Sequence, residues 1–247
     1  MEFERELEIC VETLQACDAA AEGGAHRIEL CSALGEGGVT PSRGLTRVAV
    51  EQSSLPVHIL IRPRVGNFVF TKKEFRVMCE DVEDVLEMGA AGVVVGALTP
   101  QGDIERDQTA TLVRLAHGLP VTFHRAFDHS RDLTQQLEVI IDLGCSRVLT
   151  SGGMPSVTQG QALLERLARQ AAGRIRVAAG GGLTLESAAY LRNIEGLDFH
   201  ASVRRRGQQS STSISDPLWN AAGVNGSIRS DDVRDLREML EWGPHSP

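Results

Sequence analysis

The sequence predicts an α/β protein built as a single (β/α)8 barrel, with eight parallel strands inside a ring of helices. Short apolar runs alternate with amphipathic stretches along the chain, and several of these runs end abruptly in polar or glycine-rich residues. Buried parallel strands are apolar along their length, so a polar end marks where a strand reaches solvent. A doubly wound sheet is the competing architecture, but no GxGxxG motif follows the first apolar run.

Eight strand and helix units in 247 residues fit the size of such a barrel. The predicted strands are Leu7–Cys10, Arg27–Leu30, Val57–Ile61, Gly92–Val95, Val121–His124, Arg147–Thr150, Arg176–Ala179 and Asp198–His200. The predicted helices are Thr13–Glu22, Gly44–Gln52, Lys72–Met88, Asp107–His117, Leu133–Leu143, Thr158–Ala171, Leu185–Asn193 and Ser230–Trp242. Glycine follows several of these helices, as at Gly23, Gly89 and Gly144, and it is the usual residue after a helix because it accepts a positive φ.

The composition predicts one domain over residues 1–247. Hydrophobic residues make up 42% of the chain and aromatic residues 4%, so the core is expected to be mostly aliphatic. No linker interrupts the pattern. The longest irregular stretch, about residues 204–226, is rich in Ser, Gln, Arg and Gly, and we interpret it as a mobile loop after the eighth strand.

Charge and cysteine usage exclude several classes of function. The net charge of -8 argues against a nucleic-acid or anionic-membrane surface, and no apolar run approaches the roughly 18 residues of a membrane span. The five cysteines are scattered and form no CxxC, so neither a zinc ribbon nor a disulfide framework is indicated. The N-terminus lacks an apolar signal region, so we expect a cytoplasmic protein. No nucleotide cofactor is expected.

Two thiols fall at the ends of adjacent predicted strands. If Cys10 and Cys31 both point inward, they lie on neighbouring strands and can form the soft, two-coordinate site that Cu(I) prefers. Buried free cysteines more often act as small hydrophobic residues, which is the alternative interpretation.

A second group of strand-end residues has the chemistry of an enzyme. Glu29, Arg62, His124 and Arg125 are the candidate catalytic residues, because a carboxylate, an imidazole and guanidinium groups can serve as acid, base and anion clamp. The alternative is a structural network that ties the strands together, in particular an ion pair between Glu29 and Arg62. We expect Asp128 to cap a loop.

Glycine-rich turns after the last three strands form a candidate anion site. Backbone N–H groups in such turns bind anions, and many barrels hold a phosphate after strands seven and eight. Glycine also serves tight turns, which is the competing explanation. The predicted anion-binding residues are Ser151, Gly152, Gly181, Gly182 and Ser202.

Eight motifs in order resemble the CutC family, which is named for copper homeostasis. They include Glu8-Ile9-Cys10-Val11, Arg27-Ile28-Glu29-Leu30-Cys31, Ile61-Arg62-Pro63-Arg64, Val121-Thr122-Phe123-His124-Arg125 and Phe199-His200-Ala201-Ser202, between about residues 8 and 204. The resemblance implies a cytoplasmic TIM barrel that forms homodimers or higher homo-oligomers. It also implies Cu(I) as a ligand of Cys10 and Cys31.

Two functions therefore stand as predictions from the sequence. The first is a protein of copper homeostasis that binds Cu(I). The alternative is a lyase, isomerase or hydrolase that acts on a small phosphorylated or carboxylated substrate at the C-terminal face of the barrel. A scaffold whose barrel mouth has no task is a third interpretation, disfavoured because buried charges without a role are costly.

Overall fold

The structure, a computed structural model, describes residues 5–203 and 228–241 and confirms the predicted barrel. Eight parallel strands pair in chain order, and the first closes against the last. The predicted mobile loop at about 204–226 lies outside the described residues, and so does Trp242 at the end of the last predicted helix. The strands are β1 (Leu7–Val11), β2 (Arg27–Leu30), β3 (Val57–Leu60), β4 (Gly92–Val95), β5 (Val121–Phe123), β6 (Arg147–Thr150), β7 (Arg176–Gly180) and β8 (Leu197–Ala201).

A helix follows each strand on the outside of the barrel, but two short 3-10 helices were not predicted. These cover Leu34–Glu36 after β2 and Arg125–His129 after β5. The predicted sixth helix starts too early at Thr158, because turns continue to Gly160. The helices are α1 (Leu14–Glu22), α2 (Arg43–Gln52), α3 (Lys72–Glu87), α4 (Arg106–Leu115), α5 (Leu133–Asp142), α6 (Gln161–Ala171), α7 (Leu185–Leu191) and α8 (Ser230–Glu241).

Glycines end the helices as the sequence predicts, with one change of position. Gly89 and Gly144 have φ values of 88° and 87° just after α3 and α5. After α1, Gly23 has φ -76° and the positive φ of 81° falls on Gly24. Gly23 is needed for a different reason, because a Cβ there would lie 2.4 Å from Val233 Cβ of α8. The last helix therefore closes the ring by packing on α1 and α7.

The main hydrophobic core lies between the strands and the helices. The outward-facing strand residues, such as Ile9, Ile28 and Phe123, are fully buried in it. Inside the barrel, the apolar cluster is small and consists of Cys10, Cys31, Leu60 and Val94. The stability of the fold therefore comes mainly from the strand–helix layer, and the inward-facing positions are available for polar residues. None of the described helices is long and apolar enough to cross a membrane.

Charged side chains fill much of the barrel interior. Glu8 is fully buried, forms an ion pair of 2.5 Å with Arg27 and bonds His200 Nδ1 at 2.7 Å. Burial alone would raise the pKa of the Glu8 carboxyl, but the charges of Arg27 and Arg147 and the bond to His200 together outweigh burial and hold it well below its usual range. Nearer the N-terminal ends of the strands, Asp198 pairs with Arg147 at 2.8 Å and with Arg176 at 2.6 Å.

We predict that Glu8→Gln destabilises the protein by about 3–5 kcal/mol at pH 7, because it leaves the buried Arg27 charge uncompensated. The pKa of Glu8 is lower in the folded state, so its contribution is present above the unfolded pKa and is lost as the pH falls through the folded pKa. The difference between variant and wild type should therefore shrink in acid. Urea unfolding monitored by circular dichroism at several pH values measures both the loss of stability and its dependence on pH.

The matched control is Glu138→Gln, which removes an exposed carboxylate that pairs with Arg174. It should leave the unfolding midpoint nearly unchanged. An equal loss of stability in both variants would show that the buried pair of Glu8 and Arg27 contributes no more than the exposed pair of Glu138 and Arg174.

Candidate functional site

A cavity of about 290 Å³ opens at the C-terminal ends of the strands, the end of the barrel that we call the mouth. Residues from β1, β2, β3, β6 and β8 and from the loops after β2, β3, β5, β7 and β8 line it, so the barrel itself brings distant parts of the sequence together. The lining residues are Cys10, Glu29, Leu34, Gly37, Leu60, Arg62, Phe68, His124, Arg125, Leu149, Gly181, Gly182, Leu183, His200, Ala201 and Ser202.

The two predicted metal-ligating thiols meet at this site. Cys10 Sγ lies 3.6 Å from Cys31 Sγ and 3.2 Å from Glu29 Oε1, because Cys10 and Glu29 are register partners on β1 and β2. Cys10 lines the cavity, whereas the fully buried Cys31 lies behind the lining. The bond to Cys31, burial and the charge of Glu29 raise the pKa of the Cys10 thiol well above its ordinary value.

A compact donor group surrounds Cys10. One ligand atom each from Cys10, Glu29 and His200 lie within 4.8 Å of one another. Burial raises the pKa of the Glu29 carboxyl, and the charge of Glu8 raises it further. Burial lowers the pKa of His200, but the carboxylates of Glu29 and Glu8 outweigh burial and raise it. From the sequence, His200 is one of three histidines that could add a ligand, although it stands at no recognised metal-motif spacing. Its register opposite Glu8 on β1 brings it to this site.

His124 lines the cavity and carries a hydrogen-bond donor that is unpaired within the described chain. β5 ends at Phe123, so His124 caps the following 3-10 helix and its Nδ1 accepts the Ala126 N–H at 3.0 Å. Nε2 therefore carries the proton, and it is buried without a partner among the described residues. Burial and the charge of Arg62 lower the pKa of His124 to about 3, so the ring is neutral at physiological pH.

The structure corrects the alternative interpretation of an ion pair between Glu29 and Arg62. The Arg62 guanidinium instead donates to the backbone carbonyls of Gly38 and Gly66, both at 2.7 Å, and of Glu36 at 3.3 Å. These bonds hold the loops after β2 and β3 against each other. Arg62 still lines the cavity, but most of its donors are engaged.

The loop after β6 is bound by a carboxylate of the protein itself. Asp128 accepts bonds from the Ser151 and Gly153 N–H groups at 3.0 Å and from the Thr150 hydroxyl at 2.5 Å, which confirms its predicted role in the loop. Gly152 N–H donates to Thr150 Oγ1 at 2.9 Å. Ser151 and Gly152, both predicted to bind an anion, therefore have internal partners and do not line the cavity.

Arg125 and the glycines after β7 form one wall of the cavity. Asp128 accepts from Arg125 Nε at 2.8 Å, and Ser151 Oγ accepts from Nη2 at 2.9 Å, so the guanidinium is fixed. It lies over Gly181, where a Cβ would meet Arg125 Cζ at 2.9 Å and where φ is +110°. Gly182 and Ser202 also line the cavity, and their role in binding an anion stays a prediction.

Comparison with known proteins supports one family. A model described as the CutC family matches residues 5–204. A curated relative from Chromobacterium violaceum, named family protein CutC, is 44% identical over 243 residues, covering 95% of this chain and 98% of the relative. The crystal structure of a CutC protein from Streptococcus agalactiae, named for copper homeostasis, superimposes with a TM-score of 0.76 at 30% identity, covering 81% of this chain and 99% of that one.

Other barrels share the fold alone. N-(5'-phosphoribosyl)anthranilate isomerase from Pyrococcus furiosus is 15% identical with a TM-score of 0.58, covering 96% of this chain and 99% of that one.

We predict that Gly181→Ala displaces Arg125 and lowers stability by about 1–3 kcal/mol, because the new methyl group adds strain at a positive φ and contacts the guanidinium. Gly173→Ala is the matched control, since Gly173 has φ +76° but nothing within 4 Å of its Cβ position. The difference between the two melting temperatures measures the contact with Arg125. Equal losses would mean that Arg125 is not fixed against Gly181.

Proposed function

The chain belongs to the CutC family, and from that premise we propose that it serves copper homeostasis by binding Cu(I) through the thiols of Cys10 and Cys31. The observation that carries the proposal is the 3.6 Å separation of the two sulfur atoms at the end of β1 and β2. Soft thiolate ligands select Cu(I) over harder cations. A copper ion here is cargo that the protein takes up and releases.

The surroundings of Cys10 and Cys31 differ from those of a cysteine that acts only as a small hydrophobic residue. Cys17 and Cys145 fit that description, because they lie in the outer apolar core and burial raises their pKa values to about 11 and about 12. Cys10 instead contacts a second thiol and a carboxylate at the edge of a cavity. His200 and Glu29 are within reach as further donors.

Access from the cavity supports Cys10 as the first thiol that an entering copper ion contacts. Only Cys10 of the pair lines the cavity, and Cys31 is reached past it. A thiol must lose its proton when it binds a metal, so uptake at this pair releases protons. The cytoplasmic location and the homodimeric or larger assembly implied by the resemblance remain predictions.

A second candidate function is an enzyme that acts on a small phosphorylated or carboxylated substrate in the same cavity. The arrangement of Arg125 favours it, because the guanidinium is fixed by Asp128 and Ser151 in the wall that contains Gly181. Glu29 lines the cavity and is the candidate acid or base. The neutral ring of His124 fits a role as hydrogen-bond donor better than one in proton transfer.

We predict that Cys10→Ser and Cys31→Ser each weaken Cu(I) binding by about 100-fold or more, since changes even beyond the metal ligands cost about 10–100-fold. Titration of reduced protein against a competing Cu(I) chelator measures the affinity. Cys79→Ser, which changes a half-buried thiol of α3, is the control and should bind as the wild type does. Unchanged affinity in the Cys10→Ser, Cys31→Ser double variant would refute the proposal.

For the second candidate, we predict that phosphate or small carboxylates raise the melting temperature, because a ligand that binds the folded state alone stabilises it by mass action. The shift should disappear in Arg125→Met and persist in Arg47→Met, which removes an exposed arginine of α2. A flat response to every anion in the wild type would rule the candidate out.

A further inference from the structure

Three residues that line the cavity each carry a buried polar atom with no hydrogen-bond partner among residues 5–203 and 228–241. The atoms are His124 Nε2, Glu29 Oε2 and Arg62 Nε, the last in a guanidinium whose other nitrogens bind backbone carbonyls. His124 is 6% exposed and Glu29 is 5% exposed. Buried polar atoms in folded proteins nearly always have a partner, so such atoms around one cavity indicate a ligand that supplies the missing bonds.

The chemistry of each atom is fixed by what the rest of its side chain does. His124 Nδ1 accepts the Ala126 N–H, so Nε2 presents a hydrogen from a neutral ring and requires an acceptor. Glu29 Oε1 accepts from the Cys10 thiol at 3.2 Å, so Oε2 is the carboxylate oxygen that remains to accept a bond. The ligand must therefore offer an acceptor to His124, just after β5, and a donor to Glu29 on β2.

Arg125 adds a third requirement. Its Nε and Nη2 are bound to Asp128 and Ser151, whereas Nη1 has no hydrogen-bond partner within the described part of the chain. The Arg125 side chain is 40% exposed and lines the cavity, as Gly181 and Gly182 do. A charged donor held in this way binds the anionic end of a ligand.

We propose that the cavity binds a small anion that also carries a carbonyl oxygen and a hydroxyl group, a hydroxyketo acid or a phosphorylated hydroxyketone. The anionic end binds Arg125, the carbonyl oxygen accepts from His124 Nε2, and the hydroxyl donates to Glu29 Oε2. The volume of about 290 Å³ is at the lower end for ligand pockets and fits a molecule of this size. The inference rests on the second proposed function and specifies its substrate class.

Matched ligands test each contact on the wild-type protein by calorimetric titration. Hydroxypyruvate and dihydroxyacetone phosphate carry all three groups. Pyruvate lacks the hydroxyl, glycerate lacks the carbonyl, and dihydroxyacetone lacks the anion. Each deletion should weaken binding about tenfold or more, because the first two leave the buried Glu29 or His124 unpaired and the third removes the charge that pairs with Arg125.

A pair of histidine variants assigns the carbonyl contact. His124→Phe should abolish the preference for hydroxypyruvate over glycerate and keep the preference for hydroxypyruvate over pyruvate. His129→Phe is the control, since His129 also contacts the Phe68 ring, at 5.4 Å, but does not line the cavity. It should keep both preferences.

The outcomes separate this inference from the function on which it rests. If neither complete ligand binds and no simple anion stabilises the protein, both fail. If anions bind at Arg125 but pyruvate and glycerate bind as tightly as hydroxypyruvate, the substrate class is wrong and the second candidate function stands. The assignment to His124 would be overturned in either of two cases. In the first, His129→Phe loses the preference for hydroxypyruvate over glycerate; in the second, a folded His124→Phe keeps that preference.

Discussion

The buried ion pair between Glu8 and Arg27 is the interaction on which the arrangement of the mouth depends. A barrel of eight parallel strands normally fills its interior with branched apolar side chains. Here a fully buried carboxylate at the centre pairs with Arg27 and binds His200 Nδ1 at 2.7 Å. His200 is thereby oriented beside Cys10 and Glu29. The charges can be held inside because the apolar layer that stabilises the fold lies outside the strands.

The residues proposed for the two functions lie in different parts of one cavity, and Glu29 belongs to both groups. The thiols lie in β1 and just after β2, and Arg125 and Gly181 lie just after β5 and β7. Glu29 connects the two groups, because one of its oxygens binds the Cys10 thiol and the other has no partner within the described chain. A metal ion that displaced the Cys10 proton would change the hydrogen bonding of the same carboxyl group that the proposed anion contacts. The two ligands are therefore expected to influence each other.

The sequence predicted the strands to within one residue at either end, because apolar runs that end in polar residues reflect burial directly. Alternation along a strand also predicts that Glu8 shares a face with Cys10 and that Glu29 shares a face with Cys31, since residues two apart face the same way. The sequence could not predict that Arg62 binds backbone carbonyls, or that Asp128 binds the N–H groups of the loop after β6. Those contacts depend on how loops distant in the sequence approach each other, and no local pattern encodes them. The tautomer of His124 likewise follows from a 3-10 helix that the sequence did not reveal.

The central claim, that the paired thiols at the mouth form the copper site, is tested most directly by crystals of the reduced protein grown with Cu(I). Anomalous diffraction on the two sides of the copper absorption edge would locate the metal without reference to any assumed ligand. The account predicts a peak within bonding distance of both Cys10 Sγ and Cys31 Sγ, which are already 3.6 Å apart. A copper peak elsewhere, with the two thiols free of metal, would contradict it.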